Sequence, residues 1–141
     1  MTATLVDLPT LDFAGSLIGF PEAHRFALVR VEPDNEVLFR LVALDTPGLE
    51  FVAAAPYPFF PDYAPEIDDA TAERLELFDA SDAMLLVLLT VGPNLGATTA
   101  NLFAPIVVNV HTRRAAQVTL VNAGYSLKEP LTRHAAAQQA S

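Results

Sequence analysis

Short apolar runs separated by glycine, proline and asparagine set the rhythm of this chain. Phe26-Ala27-Leu28-Val29-Arg30-Val31 has the length and composition of a strand. Glu32-Pro33-Asp34-Asn35-Glu36 follows as a turn, with proline preset for the second turn position and Asp and Asn after it. Residues 37–44 form the returning strand, so 26–44 is expected to be a hairpin. Pro47-Gly48 turns the chain again, and residues 51–55 make a third short strand. Residues 5–13 mix apolar and polar positions around Pro9, which fits a kinked edge strand. Residues 84–91 are almost continuously apolar between Asp82 and Gly92-Pro93, and at that length a buried strand is expected rather than a helix. Residues 116–121 read as the last strand.

Three segments break this rhythm. In Thr99-Ala100-Asn101-Leu102-Phe103-Ala104-Pro105-Ile106-Val107-Val108-Asn109 a proline interrupts a strand-like run. Pro105 has no amide hydrogen and belongs at a bend, with Asn101 and Asn109 placed to satisfy loose backbone groups. The second segment holds Pro56, Pro58, Pro61 and Pro65, interleaved with Tyr57, Phe59, Phe60 and Tyr63. No helix or central strand survives that proline density, so a rigid aromatic loop is expected. The third, residues 68–76, reads as one short helix with Asp68 and Asp69 at its positive N-terminal end. Ala72, Leu75 and Phe78, spaced by three, give it an apolar face.

Strands so outnumber helices, with turn signals roughly every 8–12 residues, that an all-β, mostly antiparallel fold follows: a small barrel or sandwich with one short helix. One domain is expected over residues 1–131, with the Ala- and Gln-rich 132–141 as a flexible tail.

Composition narrows the function. The chain has 141 residues, 52% of them hydrophobic, which excludes disorder. It has no cysteine, so a disulfide framework or thiolate metal site is impossible. The start lacks a signal-peptide pattern, and the longest wholly apolar run, residues 83–89, is far below the roughly 20 residues of a membrane span. A cytoplasmic protein is expected. Residues 1–82 carry nine Asp and seven Glu against four Arg, a formal −12; residues 83–141 carry one Glu against three Arg and one Lys, a formal +3; the sum is −9. Such a chain repels nucleic acid and steers a basic protein toward itself.

Catalytic constellations are not evident. His24, His111 and His134 are far apart in turn or tail segments. Asp68-Asp69 suits a helix cap better than an acid/base dyad. Asp62 beside Tyr63 lacks a second carboxylate or histidine. Ser16, Ser81 and Ser126 have no nucleophile-elbow setting, and Gly92-Pro93-Asn94-Leu95-Gly96 has no phosphate-loop lysine. Arg113-Arg114 is too small a basic patch for RNA. No enzyme activity, metal or cofactor is expected. Two readings of the aromatic loop stay open. Phe59, Phe60 and Tyr63 either plug the barrel end or, with Asp62, display a surface for a partner offering apolar anchors ringed by arginine. The hairpin-turn acids Glu32, Asp34 and Glu36 are the next candidate contact.

Several landmarks taken together resemble the FliW family of bacterial flagellar assembly factors. They are Gly19-Phe20-Pro21 with Phe26-Ala27-Leu28; Phe39-Arg40-Leu41-Val42-Ala43-Leu44; Pro58-Phe59-Phe60-Pro61-Asp62-Tyr63 with Ile67; and the Thr99 to Asn109 run followed by Ala116, Gln117 and Val118. They occur in the family's order across residues 19–131. The chain departs from the family pattern at Val42-Ala43 and over Tyr125-Ser126-Leu127-Lys128-Glu129-Pro130-Leu131. The resemblance implies a small antiparallel β-barrel with no catalytic role and two protein partners. These are flagellin and the RNA-binding translational regulator CsrA, which FliW-like proteins hold away from messenger RNA. The alternative from another class is a small-ligand carrier, which needs a large apolar cavity inside the barrel.

Overall fold

A computed structural model describes residues 10–13, 17–34, 37–121 and 123–131. Strands β2 (Arg25–Arg30), β3 (Leu38–Ala43) and β4 (Glu50–Ala54) form an antiparallel meander. Its register pairs Phe26 with Ala43, Leu28 with Leu41, and Phe39 with Ala53. Phe26, Leu28, Leu41, Ala43 and Ala53 are all buried on one face, as the two-residue period of a strand requires. At the β3–β4 turn Leu49 N donates to Thr46 O at 3.2 Å with Gly48 at φ 84°, a type II turn whose third position needs glycine.

β1 (Thr10–Phe13), β5 (Ala83–Thr90), β7 (Ile106–Asn109) and β8 (Arg114–Gln117) complete a ring. The hydrogen-bonded order is β4-β3-β2-β1-β8-β7-β5, and the β4–β5 pairing closes it into a seven-stranded barrel. Strict up-and-down alternation cannot close an odd number of strands. The mismatch falls at β1–β8, the one parallel pair of the ring. β1 is therefore not the edge strand expected from Pro9; it lies between β2 and β8, while residues 5–9 are outside the described part.

The expected corner forms at Pro105. Two strands share one edge of β5: β7 through Leu86↔Ile106, and β6 (Thr99–Ala100) through Leu89↔Ala100. Between them Asn101 Oδ1 accepts the amides of Phe103 and Ala104 at 3.1 and 3.0 Å. β9 (Glu129–Pro130) pairs with β6. The corner also explains why β8 stops at Gln117 rather than at 121. Val118 N and Leu120 N still donate to Pro105 O and Phe103 O, at 3.0 and 2.8 Å. Pro105 has no N–H to return, and that of Phe103 is held by Asn101 Oδ1 and Ser126 O, so only half a ladder continues.

Both faces of the barrel wall are buried on one side. Inside pack Phe13, Phe26, Leu41, Leu86, Ile106 and Val108, with the Phe13 and Phe26 rings edge to face at 5.3 Å. Outside, Val87, Leu102, Leu120 and Leu131 pack with Phe60 and Tyr63. Double coverage is why β5 and β7 read as continuous apolar runs rather than alternating ones. The interior positions that a carrier would keep open are filled by these side chains.

Helix α1 (Asp69–Arg74) lies over a third cluster, Leu75, Val107 and Ala116. Asp68 caps it: its carboxylate accepts the Thr71 amide at 3.3 Å and the Thr71 hydroxyl. The helix is shorter than residues 68–76, and its apolar face differs from the expected one. Glu76 takes φ 56°, Glu76 N bonds Glu73 O and Leu77 N bonds Ala72 O, which together make a Schellman closure without its usual glycine. The closure shifts the phase by one residue. Leu77 packs inward in place of Phe78, which points to solvent.

Asp68→Ala should cost about 1 kcal/mol in denaturant titrations, while Asp68→Asn, also a good cap, should cost much less. The hydrogen bonds from Thr71 hold the folded Asp68 carboxyl below its ordinary value. Its contribution is therefore present above the unfolded pKa and is lost as pH falls through the lower folded one. The difference between parent and Asp68→Ala should persist at neutral pH and disappear in acid. No helix among the described residues is long and apolar enough to cross a membrane.

Candidate partner-binding surface

Strand directions bring the acidic hairpin turn and the start of the aromatic loop to one end of the barrel. β2 ends there and β3 begins, β4 ends and β5 begins, β7 ends and β8 begins. The start of the aromatic loop lies beside the return of the hairpin at Val37, since Ala55 N donates to Val37 O at 2.9 Å. The helix C-terminus and the 110–113 turn meet at the same end, where Asn109 Nδ2 donates to Leu75 O.

The aromatic loop divides its side chains between inside and outside. Prolines fix its course, and Phe59 N and Phe60 N both donate to Pro56 O, at 3.0 and 2.8 Å. Phe60 (3% exposed) and Tyr63 (4%) are buried against the outer wall of the barrel rather than plugging its end. Tyr63 OH donates to Leu102 O at 2.7 Å, and its ring meets Tyr125 edge-on at 4.9 Å. Burial, chiefly, pushes the Tyr63 phenol well above its ordinary pKa, so it stays a neutral donor. Phe59 is half-buried, 6.4 Å from Phe60. Tyr57 (48% exposed) and Asp62 face solvent. Glu32 and Asp34 are exposed on the neighbouring turn; Glu36 lies outside the described residues.

Arg30 reaches onto the acidic turn, where its Nη1 donates to Pro33 O at 3.4 Å. Arg40 grips Glu50 with two bonds of 2.7 and 3.1 Å, which hold the Glu50 carboxyl below its ordinary range. Arg25 lies 3.7 Å from Asp12. Arg113 and Arg114 emerge on the β1–β8 side of the candidate end.

Around the helix C-terminus, Asn109 makes four contacts from a buried position. Nδ2 donates to Leu75 O (2.8 Å) and Glu76 O (3.3 Å), and Oδ1 accepts the His111 and Thr112 amides at 2.8 and 3.1 Å. His111 Nε2 stands 3.0 Å from Asp82 Oδ1. Ser81 donates its hydroxyl to Asp79 Oδ2 at 2.9 Å, away from that imidazole, so nucleophile, base and carboxylate are not in line. No group of three or more acids and histidines placed to hold a metal occurs among the described residues. A polar groove of about 800 Å³ runs outside the barrel between Glu66, Asp68 and Arg74 on one side and Thr119, Val121 and Tyr125 on the other. Neither this groove nor the exposure of Phe78 was legible in the sequence. The only signal for Phe78 is the absence of a glycine where its helix must stop.

Comparisons with known proteins agree with the motifs and the barrel. A family model described as FliW protein matches residues 2–131. The flagellar assembly factor FliW of Geobacillus thermodenitrificans is 40% identical over 119 residues, covering 84% of this chain and 81% of that protein. Its counterpart from Anoxybacillus flavithermus is 38% identical over 130 residues, 92% of this chain and 88% of the relative. A crystal structure of the flagellar assembly factor FliW superposes with a TM-score of 0.81 at 39% identity, covering 87% of this chain and 85% of the other.

Proposed function

This chain belongs to the FliW family, and from that we propose that it is a cytoplasmic flagellar assembly factor that works by occupancy, binding CsrA and flagellin and catalysing nothing. An acidic surface holds the basic regulator CsrA in a form that binds RNA poorly, and flagellin competes for the factor. When flagellin is exported, the freed factor takes up CsrA and flagellin translation resumes. The observation that most supports this reading is the barrel end itself. Tyr57, Asp62, Glu32 and Asp34 are each exposed, on two segments that leave that end joined by the Ala55 N to Val37 O bond, in a chain of net charge −9. Aromatic anchors with an acidic rim suit a partner of opposite charge. Phe60 and Tyr63 serve the surface from beneath by fixing the loop, and Phe59 contributes its open edge. Glu36 is included in the same proposed contact from its place in the sequence alone.

Calorimetric titration with purified CsrA tests this. Binding should weaken as salt rises, because charge pairs exposed at an interface are screened over about 8–10 Å near physiological ionic strength. Failure to bind at low salt would sink the proposal.

A further inference from the structure

Phe78 is the most exposed large apolar side chain among the described residues, with 89% of its surface open. A lone exposed apolar residue is ordinary. What sets Phe78 apart is how firmly its backbone is held in an outward position. Helix α1 ends just before it in the Schellman closure, with Glu76 in the left-handed region. Asn109 ties Leu75 O and Glu76 O on the near side. On the far side Asp82 Oδ2 accepts the amides of Phe78 and Asp79 at 3.2 and 3.0 Å, while its Oδ1 faces His111. Val110, also exposed, donates its amide to Asp82 O at the same corner. An anchor whose backbone is already fixed loses little freedom on binding.

Charge selects the occupant. Glu76 and Asp79 are exposed on either side of Phe78 in the chain, with Asp82 beneath. We propose that Phe78 is a docking anchor inserted into an apolar pocket of a basic protein partner, with lysine or arginine of that partner meeting Glu76 and Asp79. The inference rests on the reading of this chain as a binder of a basic regulator, and it adds a contact that the aromatic loop does not supply.

CsrA is the probe. Phe78→Ala and Phe78→Asp should leave the melting temperature within a degree or two of the parent, since 89% of the residue is already open to solvent. Both should weaken CsrA binding by about 30-fold or more, the loss typical of an anchoring aromatic. Ile18→Ala, an exposed apolar position at the opposite barrel end, should leave binding unchanged. If the parent binds CsrA and both Phe78 variants bind within tenfold of it, the anchor is overturned while the broader function stands. If the parent does not bind CsrA, that function and this inference fall together. If the parent self-associates in sedimentation and Phe78→Ala abolishes it, the occupant is a second copy and the proposal is wrong.

Discussion

Phe60→Ala should lower the free energy of unfolding by about 3–5 kcal/mol, the loss expected for an aromatic ring removed from a packed site. Phe60 is nearly fully buried among Val87, Leu102 and Leu131 on the barrel's outer wall, and rigid prolines on both sides limit collapse into the space. Its neighbour gives the contrast. Phe59 is half-buried at the rim of the same cluster, so Phe59→Ala should cost clearly less. Urea titrations of the two variants measure the difference directly. Equal, small losses would mean that the loop is displayed outward, contrary to the packing described.

The second large effect is expected at Asn109. Asn109→Ala removes two donated and two accepted hydrogen bonds from a site with 2% exposure, and strands the carbonyl of the fully buried Leu75. Unsatisfied buried groups cost about 1–3 kcal/mol each, so about 3 kcal/mol in total is expected from urea titration. Asn109→Asp retains the acceptor for His111 N and Thr112 N but turns a carboxylate oxygen toward the carbonyls of Leu75 and Glu76. It should be at least as harmful. Loss of this clamp should also loosen Phe78, so hydrogen exchange at residues 75–79 should accelerate in both variants.

Much of this fold is legible in the sequence because local chemistry and global fold agree. Pro33 and the Pro47-Gly48 pair mark true turns, the 26–44 hairpin forms in register, and Pro105 with its asparagines makes a corner. The departures share a cause: partners distant in the chain. Nothing near Pro9 foretells that β1 lies between two strands, since its second partner is β8, about a hundred residues on. The end of β8 at Gln117 is imposed by Pro105, whose missing amide is felt across the ladder. Phe78 fits a helical face by spacing, yet the carbonyl-binding Asn109 stabilises a helix stop two residues earlier. Within the aromatic loop, residue type marks the segment as rigid and aromatic, but which ring turns inward depends on the outer wall of the barrel. That wall is recognisable only once β5 and β7 are seen to be covered on both faces.

The central claim is that this protein keeps CsrA from RNA. An electrophoretic mobility shift with CsrA bound to an RNA it recognises, titrated with this protein, tests that most directly. The account predicts that the RNA is released as the protein saturates CsrA, and that added flagellin restores the CsrA–RNA band. RNA that stays fully bound at saturating protein would contradict it.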